Sequence, residues 1–335
     1  MNQFATYSIR LTLAALSWAA AFSPVGASGL AEDQALTLSL SADRDQQVSP
    51  LYETSPLISL ATMQERSEPM LLDEFSGNGL YSDDWGFHLL PESLIYRSYF
   101  AGPKEPRLGN QIVKGAGSSW LWDPTLGARV GLFRIGNSDS VRPVGIQVDV
   151  EAAALGRLDL LEQVDVRSVD FRGGLPITWG NERRQWKFAY YHLSSHLADE
   201  FLLKNRDYPL YFQSRDCLVL GYSYYVIDPL RLYAEVGWSW RAIASQPWEF
   251  QLGFDLAPRG PTGIRGKPFV ATNAHLRQEL NFSGGLTFQA GWAWRSDVTA
   301  RLLRTGLQYY NGNSPQYAFL PVVERQVGWG LWYDF

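Results

Sequence analysis

A single cysteine, Cys217, is present in 335 residues, so no internal disulfide supports the fold and an oxidised framework is excluded. Lysine is scarce as well: Lys104, Lys114, Lys187, Lys204 and Lys267 are all there are. Beyond the first residues no run of eighteen apolar side chains occurs, which excludes a spanning helix there and leaves an exported chain two choices, soluble or barrel. Strong charge of one sign is also missing. A formal net charge of -5 argues against a nucleic-acid or other polyanionic partner.

What the chain has instead is aromatic side chains, 14% of residues with thirteen Trp among them. Membrane barrels concentrate Trp and Tyr in girdles at both interfaces. At the N-terminus Arg10 precedes an apolar stretch over residues 11–22, and the small residues of "VGA" follow at 25–27. That order predicts a cleaved secretory signal over 1–27, too short in its apolar part to cross a bilayer. Residues 28–84 are polar and weakly periodic ("SADRDQQVSP", "MQERSEP"), and are expected to form an irregular periplasmic segment, not a domain.

From there to the end, 85–335, side chains alternate with the two-residue period of strands. In "VGWGLWYDF" the residues Val327, Trp329, Leu331, Tyr333 and Phe335 share one face, opposed by Gly328, Gly330, Trp332 and Asp334. In "LRLYAEVGWSWR" Leu230, Leu232, Val236, Trp238 and Trp240 oppose Arg231, Tyr233, Glu235, Ser239 and Arg241. "VGIQVDVE" sets Ile146, Val148 and Val150 against Gln147, Asp149 and Glu151. About twelve such strands are predicted, near 93–101, 126–136, 143–154, 158–179, 185–195, 214–226, 230–241, 247–257, 267–280, 284–295, 299–310 and 324–335. Most reach the nine to eleven residues, roughly, that a tilted strand needs to cross a membrane. Long connections at 102–118, 196–213 and 311–323 would all fall on the side opposite the C-terminus, as outer loops do.

A soluble sandwich can carry the same alternation. Its polar face would be rich in Lys and Thr, whereas here that face holds Arg, Glu, Asp, Gln, Gly and Tyr, residues able to pair with one another inside a lumen. The expected fold is therefore all-β, an antiparallel up-and-down transmembrane β-barrel of about twelve strands. Arg231, Glu235, Arg241, Asp255, His275, Arg277, Glu279 and Arg295 are expected to form a network in its lumen.

The terminal aromatic strand is similar to that of outer-membrane barrels generally, whose C-terminal Phe is read by the barrel assembly machinery. This implies an outer-membrane location in a Gram-negative-type bacterium, lipid neighbours, and a role for Phe335. "LPESLIYRSYFAGPKEPRLG" at 90–109 and "YYHLSSHLADEF" at 190–201 resemble signature segments of a bacterial family known only as a domain of unknown function. The resemblance covers roughly 85–335 and implies a location more than an activity.

One constellation carries chemistry. On the strand 185–195, Trp186, Phe188, Tyr190, His192 and Ser194 share the aromatic, outward face. A His and a Ser two apart on a strand are surface neighbours, and the imidazole can take the hydroxyl proton that makes Ser a nucleophile. The pair resembles the His-x-Ser of outer-membrane phospholipase and lipid A deacylase, barrel enzymes in which an Asn or a Glu orients the imidazole. Here Asp199 and Glu200 are the nearby carboxylates. The alternative reading is ordinary polar residues where a strand leaves the bilayer.

No metal site is expected, because on a strand His192 and His196 lie about 13 Å apart. "GKPFV", "KGAGSS" and "FSGG" lack the strand-then-helix setting of a phosphate cradle, and no cofactor is expected. Three functions follow: a structural or channel-like barrel as the default, an outer-leaflet lipid acyl hydrolase using Ser194 and His192, or a surface binding barrel using its long loops.

Overall fold

The computed structural model describes residues 85–115, 119–209, 213–243 and 245–335; the expected signal and the segment 28–84 lie outside them. A short strand, β1 (Gly86–Leu89), precedes β2 (Leu108–Gly115), β3 (Trp120–Gly136), β4 (Gly145–Asp159), β5 (Asp165–Gly180), β6 (Arg184–Leu197) and β7 (Gln213–Ile227). Then come β8 (Leu230–Ile243), β9 (Trp248–Leu256), β10 (Lys267–Arg277), β11 (Ser283–Arg295), β12 (Leu302–Asn313) and β13 (Val323–Asp334). Each strand from β2 onward pairs antiparallel with the next, and β13 returns to β2, with Tyr333 opposite Leu108 and Gln326 opposite Gly115. The result is a closed barrel of 12 strands, which leaves no long exposed sheet edge.

Alternation sorts the side chains as expected. On β13, Trp329 is 55% exposed on the outside while Trp332, three residues on, is 1% exposed inside. Gly330 has a local reason: a Cβ there would lie 2.2 Å from the Trp332 indole, which occupies the space beside the bare backbone. The exterior presents Leu220, Trp238, Leu252, Trp292, Leu307 and Trp329. Inside are Arg129, Arg134, Arg157, Asp149, Glu151 and Gln147. An all-round apolar exterior over a polar interior inverts the arrangement of a soluble domain and matches what a bilayer demands of a barrel.

The lumen is filled by the chain itself. Residues 91–107 form no strand, run inside the barrel, and bury Leu94, Ile95, Tyr96, Tyr99 and Phe100. The wall holds this segment at several points. Arg134 donates to Ser93 O at 2.6 Å, Arg231 to Arg97 O and Ser98 O, both at 2.8 Å, and Tyr99 OH to Glu235 at 2.8 Å. Lys104 pairs with Asp170, and Arg107 lies 3.3 Å from Asp334. The Tyr99 ring stacks on Tyr233 at 3.8 Å. A space of about 40 Å³ bounded by Lys104, Arg107, Gln308 and Trp332 has room for a few waters.

Several strand expectations need correction. The predicted strand at 93–101 is this lumen segment, whose apolar content comes from burial on all sides. Its place in the barrel is taken by β2, within the predicted outer loop 102–118. The outward residues of β2, Asn110, Ile112 and Lys114, are too polar to show alternation. The predicted strand 158–179 is broken by a turn at 160–164, with Gln163 and Val164 at φ of 58° and 66°; its apolar residues concealed it. β1 pairs with the far end of β3, Gly86 opposite Gly136, beyond the reach of the short β2. Residues 198–209 and 314–322 share the rim opposite the C-terminus, while 257–266 is the long connection on the C-terminal rim.

Candidate active site

His192 and Ser194 lie near the end of β6, close to the rim opposite the C-terminus, and both face outward. The inward residues between and beside them, Tyr191, Leu193 and Ser195, are buried in the lumen. The His192 side chain is 47% exposed, and its Nδ1 lies 2.8 Å from Oδ1 of Asp216. Asp216 sits directly opposite on β7. The same Oδ1 accepts a second hydrogen bond from Tyr190 OH at 2.8 Å. Tyr190 is itself stacked on Trp240 of β8, ring centroids 5.4 Å apart. The carboxylate is thus held from two sides, and the imidazole is held through Nδ1 with Nε2 directed away. Among the described residues Ser194 Oγ makes no hydrogen bond, to His192 or to anything else.

Asp199 and Glu200 do not serve this pair. They open a short helix, α1 (Asp199–Lys204), beyond the end of β6, and both are exposed. The helix is anchored at its other end, where Lys204 binds Asp165 at 2.5 Å and Glu162 at 2.6 Å; those two carboxylates raise the ammonium pKa. The carboxylate that contacts His192 is Asp216, which lies 24 residues further along the chain and on the neighbouring strand. A signal was present: on β7 the outward residues are Ser214, Asp216, Leu218, Leu220 and Tyr222, and a carboxylate in an apolar row calls for a partner.

Of the predicted lumen residues, Arg231, Glu235, Asp255, His275, Arg277, Glu279 and Arg295 do face inward. Arg231 binds Asp255 at 2.5 Å, Lys187 binds Glu235 at 2.5 Å, and Glu249 lies 3.1 Å from His275 and 3.4 Å from Arg215. Arg277 reaches Ser314 O and Arg295 reaches Pro258 O. Glu279 belongs to the turn after β10 and lies 3.7 Å from Arg215.

Arg241 is the exception: it is exposed on the outside. Asp216 pairs with Arg241 but Cys217 pairs with Ser239, so a β-bulge at Trp240 shifts the phase by one residue and turns Arg241 outward. Among the described residues no cluster of three or more His, Cys, Asp and Glu could hold a metal ion.

Among solved structures the chain is similar to outer membrane phospholipase A from Escherichia coli, at 9% identity and a TM-score of 0.46, over 72% of this chain and 95% of that one. No curated protein matches it. The model of a family described as "protein of unknown function (DUF1207)" matches residues 115–335, well over half of the chain, and the protein therefore belongs to the DUF1207 family.

Proposed function

We propose that this barrel sits in the outer membrane and hydrolyses acyl esters of membrane lipid, with Ser194 as nucleophile, His192 as general base and Asp216 as the carboxylate that orients it. The observation that carries this reading is the 2.8 Å contact between His192 Nδ1 and Asp216 on the barrel exterior. An ionisable pair on a lipid-facing wall is costly and is kept where it does something. With Nδ1 tied to a carboxylate, Nε2 is the nitrogen free to take the Ser194 proton as Oγ attacks the ester carbonyl. The imidazolium then protonates the departing alcohol. Water, deprotonated by the same nitrogen, attacks the acyl-serine, and the fatty acid leaves as Ser194 regains its proton. Asp216 stabilises the imidazolium in both halves. Only from the bilayer can an acyl chain approach this face.

The filled lumen favours this reading over a channel. On the same reading residues 1–27 are the export signal, 28–84 remain in the periplasm, and Phe335 at the end of β13 is the signal read during assembly. Release of fatty acid from phospholipid or lipid A by the purified barrel tests the function. Ser194→Ala should abolish release while leaving heat-modifiable migration of the folded barrel unchanged, and equal release by the variant rejects the role.

A further inference from the structure

One row of outward positions crosses four strands: Gly173 on β5 faces His192 on β6, His192 faces Asp216 on β7, and Asp216 faces Arg241 on β8. The ends of this row differ. At one end is the exposed guanidinium that the bulge at Trp240 expels from the lumen; among the described residues it makes no hydrogen bond and no ion pair within 4 Å, and its charge acts on Asp216, opposite it on β7. At the other end is a residue without a side chain.

Nothing in the fold demands glycine at 173. A Cβ there would meet only Glu151 O, at 4.0 Å, and the backbone is not left-handed. At the adjacent Gly174 the fold does demand it, because a Cβ would lie 2.7 Å from Tyr190 O. Gly173 therefore leaves a notch on the wall, between the apolar Phe171 and Leu175 and beside His192. Further along β5, away from the near rim, Leu175 and Ile177 continue the outward row.

We propose that this row is the seat of a phosphate-bearing acyl lipid, with the scissile chain in the Gly173 notch running over Leu175 and Ile177 and the phosphate bound by Arg241. The proposal rests on the hydrolase reading and adds the substrate class and its orientation. Ser194 lies in the next row, opposite Ser214, so Arg241 is two strand spacings across and two residues along from it, roughly 12 Å in all, a span that a glycerol backbone and an arginine side chain cover together. A guanidinium matches phosphate oxygens with two parallel hydrogen bonds. The phosphate then stays at the near rim while the chain points toward the bilayer centre, the order in which a lipid presents them. Bulges commonly re-aim a side chain beside an active site, and this one supplies the cation.

The test uses barrels carrying Ser194→Ala, which hold lipid without cleaving it, and reads retention of dioleoyl phosphatidylglycerol against dioleoylglycerol by native mass spectrometry. The phosphate-bearing lipid should be retained preferentially. Arg241→Gln should reduce that preference about tenfold or more, with Arg241→Lys intermediate, and Gly173→Leu should lose both lipids where Gly173→Ala keeps them. Equal retention of the two lipids, or a preference that survives Arg241→Gln, overturns the phosphate seat. Undiminished retention by Gly173→Leu overturns the acyl notch. Failure of the Ser194-intact barrel to release fatty acid from either lipid overturns the hydrolase reading instead, so the two failures are told apart.

Discussion

Tyr190 and His192, two residues apart on β6, meet on one oxygen: Oδ1 of Asp216 accepts from both, each at 2.8 Å. A carboxylate gripped by a phenol cannot turn away from the imidazole, and the phenol is in turn fixed by stacking on Trp240. If the pair is catalytic, Asp216→Asn should lower kcat/KM for acyl release by about 10²- to 10⁴-fold, the range a positioned general base supplies. Tyr190→Phe leaves the carboxylate in place with one hydrogen bond fewer, and should cost about tenfold. Rates unchanged by Asp216→Asn would remove the orienting role.

Several of the buried lumen charges are held in ion pairs. Arg231 and Asp255 are both buried, joined at 2.5 Å, and Arg231 also holds the lumen segment through two carbonyls. Arg231→Met strands a buried carboxylate and should destabilise the barrel by about 3–5 kcal/mol in denaturant unfolding. Arg231→Met with Asp255→Leu should recover part of that loss. A double variant less stable than the single one contradicts the account.

On the outside the sign of the rule reverses. Trp238 is exposed on the apolar face of β8, and Trp238→Arg in a bilayer should cost about 2–4 kcal/mol at mid-depth and less near an interface. Reversible unfolding in lipid vesicles measures it, and a neutral substitution would show that this face does not contact lipid.

With residues 91–107 inside, the intact barrel should show no steady conductance in planar bilayers. Lys104→Ala with Arg107→Ala removes ties to Asp170 and Asp334 and should produce transient openings. A steady open pore in the unmutated protein would refute the filled lumen.

Much of this protein was legible from its alternation alone. Which face of β4, β8 and β13 turns inward, the count of about twelve strands, and the outward aim of His192 and Ser194 all follow from a two-residue period, a property of the local chain. Other features depend on register and on the third dimension. Asp216 stands opposite His192 because β6 and β7 pair in one register; the carboxylate in the outward row of β7 calls for a partner, but only the register names His192. Arg241 faces out because a single extra residue at Trp240 reverses the phase, and a bulge leaves no mark on composition. Within the lumen segment, 93–101 reads as a strand because burial on every side selects the same apolar residues that a strand uses. Local periodicity determined the wall; cross-strand register and the filling of the lumen, which depend on residues far apart in sequence, were decided only by the closed barrel.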